Sequence, residues 1–245
     1  MTRPNVLSLV AAVVAAVLGV PASASAYNVY AAASLSTAFP EISGSPRYSF
    51  AGSNTLQAQI ERGAPADVFA SASPTEAQTL FAGGRCARPV TFATNVLVMI
   101  VPNGNPGKIR SVYSLRGGGK RVAVGTAGVP VGAYTRKLLA RLRLSSVLRN
   151  NTVSQETNVN SVTAKVALGS ADVGFVYRTD GRAAADRTRT IQLPRYAQPP
   201  VRYQMCAVRR DGAETRTANS FIRQVTSKAG RAVLRRYGFG LPPKG

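Results

Sequence analysis

The chain has 245 residues and a formal net charge of +21, from 31 Lys and Arg against 10 Asp and Glu, and it contains no His. The lack of His removes the usual base for a Ser nucleophile and a common metal ligand, which argues against a serine-triad enzyme or a His-based metal centre. The basic residues are scattered and form no stripe interleaved with aromatic residues. The charge therefore predicts attraction of small anions and no nucleic-acid partner.

The N-terminal segment has the pattern of a secretory signal. Arg3 supplies the positive start, Val6 to Val20 is almost wholly apolar, and small residues end at Ala26. The apolar run is too short for a comfortable membrane span, and no later run approaches about 20 apolar residues. We expect residues 1–26 to be removed by cleavage after Ala26 and the protein to be exported to a periplasmic or extracytoplasmic location.

After the signal, strand patterns alternate with helix patterns, which predicts an α/β fold. The strand patterns of the first part are Val29 to Ala31, Tyr48 to Phe50, Val68 to Ala70 and a fully buried run from Asn95 to Val101. The helix patterns there cover Ser36 to Ile42 and Thr55 to Arg62.

A second unit begins after Pro106. Its strand patterns, with the last strand of the chain, are Arg121 to Val124, Asn151 to Val153, Val173 to Tyr177 and Tyr203 to Val208. Its helix patterns, with those that close the chain, are Ala133 to Leu144, Val159 to Leu168, Ala218 to Thr226 and Ala229 to Arg236. The stretch from Gly181 to Arg189 is predicted to be a loop. We expect two lobes, one from residues 27–94 and 201–245 and the other from the inserted residues 95–200.

One local pattern occurs four times: a strand, a short turn, then a helix that begins near Ser34, Ser53, Val131 or Val159. A helix N-terminus presents unpaired N–H groups and about half a positive charge, so several such ends around one crevice would bind an anion without charged side chains. Other interpretations stay open from the residues alone. The two serines suit helix N-caps, the two valines suit a core, and Tyr177 suits interfacial packing with its hydroxyl in water.

The chain has two cysteines, Cys86 and Cys206. In an oxidising compartment they would form one bridge between distant parts of the chain, whereas the alternative is two free, buried thiols.

For catalysis the sequence offers little. A Ser–Lys or two-carboxylate hydrolase stays possible from composition, because Ser36, Lys137 and ten acidic residues are present, but no motif places them together. We expect no enzyme activity.

Several stretches, in order along the chain, resemble the molybdate-binding proteins of ABC importers, which are type II periplasmic binding proteins. They are Ala31 to Leu35, Phe50 to Leu56, Gly63 to Ala72, Val129 to Tyr134, Glu156 to Val159, Ala171 to Tyr177 and Arg236 to Phe239. Single motifs of this kind are weak, but the ordered set covers nearly all of the exported part.

The resemblance implies two α/β lobes that close on a ligand in the cleft between them. It implies an oxyanion shell of the Ser34 and Ser53 hydroxyl and N–H groups, the Val131 and Val159 N–H groups and the Tyr177 phenol, with no direct bond from protein to molybdenum. Relatives often have a smaller residue at the position of Val131, but a main-chain donor tolerates the change.

The ligand implied is molybdate or tungstate, with no cofactor, and the partner is an ABC importer permease that meets a monomeric binding protein. The alternatives are a sulfate or other tetrahedral oxyanion binder, or an exported oxyanion sensor or hydrolase. Asp67 and Asp172 would repel a dianion, so we assign both to structural hydrogen bonds.

Overall fold

The computed structural model describes residues 27–213 and 215–242, so the predicted signal sequence lies outside the described residues. In chain order the strands are β1 (Asn28–Ala32), β2 (Arg47–Ala51), β3 (Val68–Ser71), β4 (Val90–Asn95), β5 (Leu97–Pro102), β6 (Val122–Gly125), β7 (Thr152–Glu156), β8 (Val173–Tyr177), β9 (Thr188–Gln192) and β10 (Val201–Ala207). The helices are α1 (Ala38–Ile42), α2 (Ser53–Glu61), α3 (Pro74–Ala82), α4 (Pro130–Arg141), α5 (Ser146–Asn151), α6 (Val159–Ala167), α7 (Arg178–Ala183), α8 (Thr215–Thr226) and α9 (Lys228–Arg236).

These strands form two five-stranded mixed sheets. The first has the order β2-β1-β3-β10-β4, with β1 parallel to β2 and β3, and β10 antiparallel to its two neighbours. The second has the order β7-β6-β8-β5-β9, with β6 parallel to β7 and β8, and β5 antiparallel to its neighbours. The two sheets with their helices confirm the predicted α/β fold. No helix in the described ranges is long and apolar enough to cross a membrane.

The chain passes from the first sheet to the second at one residue. The sequence predicted a single strand from Asn95 to Val101, but Asn95 ends β4 in the first sheet and pairs with Val201, whereas β5 begins at Leu97 in the second. The new strand is buried along its whole length, as its apolar run predicted. The lobe boundaries given above stay a prediction, and this strand assignment supports them.

The loop prediction for Gly181 to Arg189 is wrong. The segment contains the end of α7 and the beginning of β9. The helix starts because the Asp180 carboxylate accepts a hydrogen bond from the Tyr177 N–H at 3.0 Å, and the strand forms because it pairs with β5. The first predicted helix is also shorter than expected, since Ser36 and Thr37 lie in a turn before α1.

Cys86 and Cys206 are joined as a disulfide, with Cα atoms 6.0 Å apart and a sequence separation of 120. They lie in a small apolar cluster with residues of α2 and α3, including Leu56 and Leu80. The bridge therefore joins the segment after α3 to the returning strand β10.

Asp67 and Asp172 have the structural roles that we expected. Asp67 accepts from the Asn28 N–H at 2.8 Å and pairs with Arg210 at 2.7 Å. Asp172 pairs with Arg121 at 2.7 Å and also accepts from the N–H of that residue.

Candidate ligand-binding cleft

All five sequence-predicted site residues line one small cavity between the two lobes. Its walls are Ala32, Ala33, Ser34, Ala51, Gly52, Ser53, Ala72, Val129, Pro130, Val131, Asn158, Val159 and Tyr177. The volume open to the centre of a water molecule is about 10 Å³. This space suits a compact ion and is far too small for a sugar or a peptide.

The first lobe contributes two buried serines, and neither acts as a helix N-cap. Ser34 lies in a one-turn 3-10 helix that directly follows β1, and its Oγ is 2.9 Å from the Tyr203 hydroxyl. Ser53 is the first residue of α2, and the cap position belongs to Gly52. The Ser53 Oγ accepts a hydrogen bond from the Ala72 N–H at 3.0 Å. Because a backbone N–H can only donate, the Ser53 hydroxyl proton is left to donate into the cavity.

The second lobe contributes the first turns of α4 and α6. Proline at the start of α4 has no N–H, so Val131 carries the first amide donor of that helix. Val159 is the first residue of α6, whose N-cap, Asn158, accepts from the Ser161 N–H at 3.0 Å. Both valine side chains are buried, as a core role predicts, while their amides belong to first turns that lack intrahelical acceptors. The two interpretations of the valines are therefore compatible.

Tyr177 ends β8 and is 1% exposed, which contradicts the alternative of a hydroxyl in water. Its Oη is buried and has no hydrogen-bond partner in the described part of the protein. Burial raises the pKa of the phenol well above its ordinary value, so the group keeps its proton at neutral pH. The cavity thus has a neutral, buried hydroxyl donor with no acceptor among the described residues.

The two lobes are in contact beside the cavity, so the cleft is closed. Gly52 of the first lobe lies so near the Thr157 carbonyl of the second that a Cβ would overlap it. On another side, the Asn160 Nδ2 donates to the Ala33 carbonyl at 3.3 Å. A substitution at Gly52 would therefore act on closure.

No charged side chain is among the residues that line the cavity. The described segments also contain no cluster of three or more His, Cys, Asp or Glu that could hold a metal ion. The site combines neutral hydroxyl and amide donors with the positive ends of helices. This donor set can satisfy an anion in a largely dry cleft.

Ser36 and Lys137 line two different hollows outside the cavity. The structure therefore does not bring together the Ser–Lys pair that composition left open.

Sequence reasoning missed several residues of the cleft. Gly52 provides the close approach, Ala72 orients Ser53, and Tyr203 contacts Ser34 from behind the cavity. Asn158 could have been predicted, because an Asn directly before a helical pattern is a strong signal of a helix N-cap. The other contacts join distant segments and leave no local signal.

Comparison with known proteins gives consistent matches. A family model described as bacterial extracellular solute-binding protein matches residues 27–240. The molybdate-binding protein of Mycobacterium tuberculosis is 37% identical over 224 residues, covering 87% of this chain and 84% of that protein. The molybdate-binding protein of Haemophilus influenzae is 30% identical over 241 residues, covering 91% and 93%. Among solved structures, the periplasmic molybdate-binding protein of Azotobacter vinelandii has a TM-score of 0.77 and 25% identity, covering 88% of this chain and 99% of that one.

Proposed function

We propose, since the chain belongs to the family of bacterial extracellular solute-binding proteins, that it captures molybdate, and also tungstate, outside the cytoplasmic membrane for an ABC importer. The relatives named for molybdate binding support the ligand class. The observation that carries the proposal is the convergence of Ser34, Ser53, Val131, Val159 and Tyr177 on one uncharged cavity.

The donors match the chemistry of the proposed ligand. Molybdate is a tetrahedral dianion whose four oxygens only accept hydrogen bonds. Three hydroxyls and four first-turn amides provide about seven donors for them. The donors are fixed by secondary structure, so little side-chain entropy is lost on binding, whereas a flexible Lys or Arg would have to be ordered.

In the proposed mechanism the anion enters an open cleft and the lobes close around it. Closure removes water from the ion, and the fixed donors replace its hydration shell. The closed form then docks on the membrane permease of the importer, where ATP is hydrolysed. This chain acts as a monomer, contributes no catalytic step and needs no cofactor, because molybdenum is cargo within the oxyanion.

The same shell predicts selectivity among oxyanions. Phosphate near neutral pH keeps at least one proton and needs an acceptor, which the assigned groups do not provide, so it should bind poorly. Sulfate is fully ionised but has shorter bonds, so a rigid shell spaced for a larger anion would stretch some of its hydrogen bonds. Tungstate is nearly the size of molybdate and should compete closely with it.

The test is calorimetric titration of the exported chain, stripped of ligand, with molybdate, tungstate, sulfate and phosphate. Molybdate and tungstate should bind much more tightly than sulfate, and sulfate at least as tightly as phosphate. Ser53→Ala should weaken molybdate binding by about 10- to 150-fold, because a hydrogen bond to a charged ligand contributes about 1.5 to 3 kcal/mol.

Ser227→Ala is the matched control for the serine variant. The Ser227 hydroxyl also accepts a backbone N–H, from Gly230 at 3.1 Å, but it caps α9 away from the cleft. This variant should lose stability and keep its affinity. Displacement of molybdate by sulfate or phosphate at comparable concentration would contradict the assignment and favour the other oxyanion.

A further inference from the structure

A chain of buried hydrogen bonds lies behind Ser34, outside the residues that line the cavity. The Ser34 Oγ is 2.9 Å from the Tyr203 Oη, and the Asn95 Nδ2 is 3.4 Å from that same phenol oxygen. The Asn95 Nδ2 also donates to the Thr179 Oγ1 at 3.0 Å. All four side chains belong to buried residues. Of these four residues, the function proposed above uses only Ser34.

The orientation of the Asn95 amide is fixed by the backbone. The Val96 N–H, which can only donate, lies 2.9 Å from the Asn95 Oδ1. The oxygen of the amide is therefore turned toward Val96, and the nitrogen is turned toward Tyr203 and Thr179. Because an amide nitrogen only donates, Asn95 gives one proton to each of these two hydroxyl oxygens.

The orientation of the Asn95 amide also determines which hydroxyl donates in the hydrogen bond between Tyr203 and Ser34. Burial raises the pKa of Tyr203 well above its ordinary value, so the phenol keeps its own proton. Its oxygen already accepts from Asn95, and the Ser34 Oγ is the acceptor within reach among the described residues. A buried hydroxyl proton without an acceptor is costly, so Tyr203 donates to Ser34. The proton of Ser34 is then free to point into the cavity.

We propose that Asn95 and Tyr203 are positioning residues that hold the Ser34 hydroxyl as a donor toward the ligand. The Ala72 N–H holds the Ser53 hydroxyl as a donor in the same way, because it donates to the Ser53 Oγ. Side chains thus do for Ser34 what the backbone does for Ser53, and both serines present protons to an anion. Two hydroxyls held as donors need a ligand whose oxygens accept, so the site favours an oxyanion that carries no proton of its own. The inference rests on the proposed function only for the identity of the ligand.

The test is a double-mutant cycle of wild type, Tyr203→Phe, Ser34→Ala and the double variant. Each protein is titrated with whichever of molybdate, tungstate and sulfate binds the wild type most tightly. Tyr203→Phe should weaken binding about 3- to 10-fold when Ser34 is present and less than 2-fold in the Ser34→Ala background, because the phenol acts through that hydroxyl. Tyr203→Phe should also reduce the ratio of the affinity for this oxyanion to the affinity for phosphate. Without the phenol, the Ser34 oxygen is free to accept the proton that phosphate carries.

Two further variants complete the design. Tyr48→Phe removes a phenol that donates to the Phe39 and Ser43 carbonyls and is not among the residues that line the cavity, so it should leave affinity unchanged. Asn95→Asp keeps the acceptor for Val96 but replaces the donor toward Tyr203 by an acceptor. It should weaken binding more in the presence of Ser34 than in its absence, because any effect of the added charge is common to both backgrounds.

The possible failures have different meanings. Equal weakening by Tyr203→Phe in both backgrounds would assign the phenol a merely structural role and overturn the inference. An unchanged affinity in Tyr203→Phe or in Ser34→Ala would overturn it as well. Absence of molybdate binding by the wild type, with the coupling present for another oxyanion, would contradict the proposed ligand and leave the positioning role supported.

Discussion

Tyr177→Phe should weaken ligand binding without lowering stability. The Tyr177 hydroxyl is buried and makes no hydrogen bond within the described residues, so its removal costs the unliganded protein no interaction. In the open, ligand-free cleft water reaches this hydroxyl, so the free energy of unfolding should stay unchanged. It should rise, by at most the roughly 1 to 3 kcal/mol that an unsatisfied buried polar group costs, only to the extent that the empty cleft closes. In the complex the same hydroxyl is a donor to a dianion. Its loss should cost about 1.5 to 3 kcal/mol, which weakens binding about 10- to 150-fold.

The assay combines urea unfolding of ligand-free protein with calorimetric titration of molybdate. Tyr48→Phe is the matched control, because the Tyr48 hydroxyl donates to the Ser43 carbonyl at 2.7 Å and to the Phe39 carbonyl at 3.0 Å. The two carbonyls share the single proton of this hydroxyl, so that variant should lose about 0.5 to 1.5 kcal/mol of stability and keep its affinity. The reasoning fails if Tyr177→Phe binds molybdate within twofold of wild type, or if it is destabilised as much as the control.

Three other perturbations have defined outcomes. Gly52→Ala places a Cβ against the Thr157 carbonyl of the opposite lobe. Molybdate affinity measured by titration should therefore fall at least tenfold, with little change in the free energy of unfolding. Unchanged affinity would show that closure does not need this contact. Burial raises the pKa of Asp180 from 3.8 to about 7, so the folded state binds the proton more tightly than the unfolded chain. The free energy of unfolding should therefore decline as pH rises between these two values, by up to about 4 kcal/mol. Asp180→Asn should remove this decline in urea titrations at several pH values, and a profile parallel to wild type would contradict the assignment. Oxidised protein should show no free thiol after denaturation, and reduction of the Cys86 to Cys206 bridge should lower the melting temperature, because an open 120-residue loop gains entropy on unfolding; two titratable thiols would contradict the bridge.

The elements that build the cleft could be predicted from local sequence. Short β-branched and aromatic runs at β1, β6 and β8 mark strands, and the patterns that follow β6 and β7 mark α4 and α6, because periodicity and turn residues act within a few positions. Parallel strands followed by helices bring the helix N-termini to one edge, so a crevice near Ser34, Ser53, Val131 and Val159 could be predicted from the sequence pattern. Tyr177 was predicted only through the resemblance to the molybdate-binding proteins.

Other features were decided by contacts between residues far apart in sequence. The polar stretch from Gly181 to Arg189 gives no strand signal, yet β9 forms because β5 offers a partner edge. The direction of the Ser53 proton depends on the Ala72 N–H, and that of Ser34 on Tyr203, which is 169 residues away. Sequence thus determined which groups are available as donors. Only the tertiary structure determined where each proton points, because hydrogen-bond direction is set by neighbours that the chain brings together on folding.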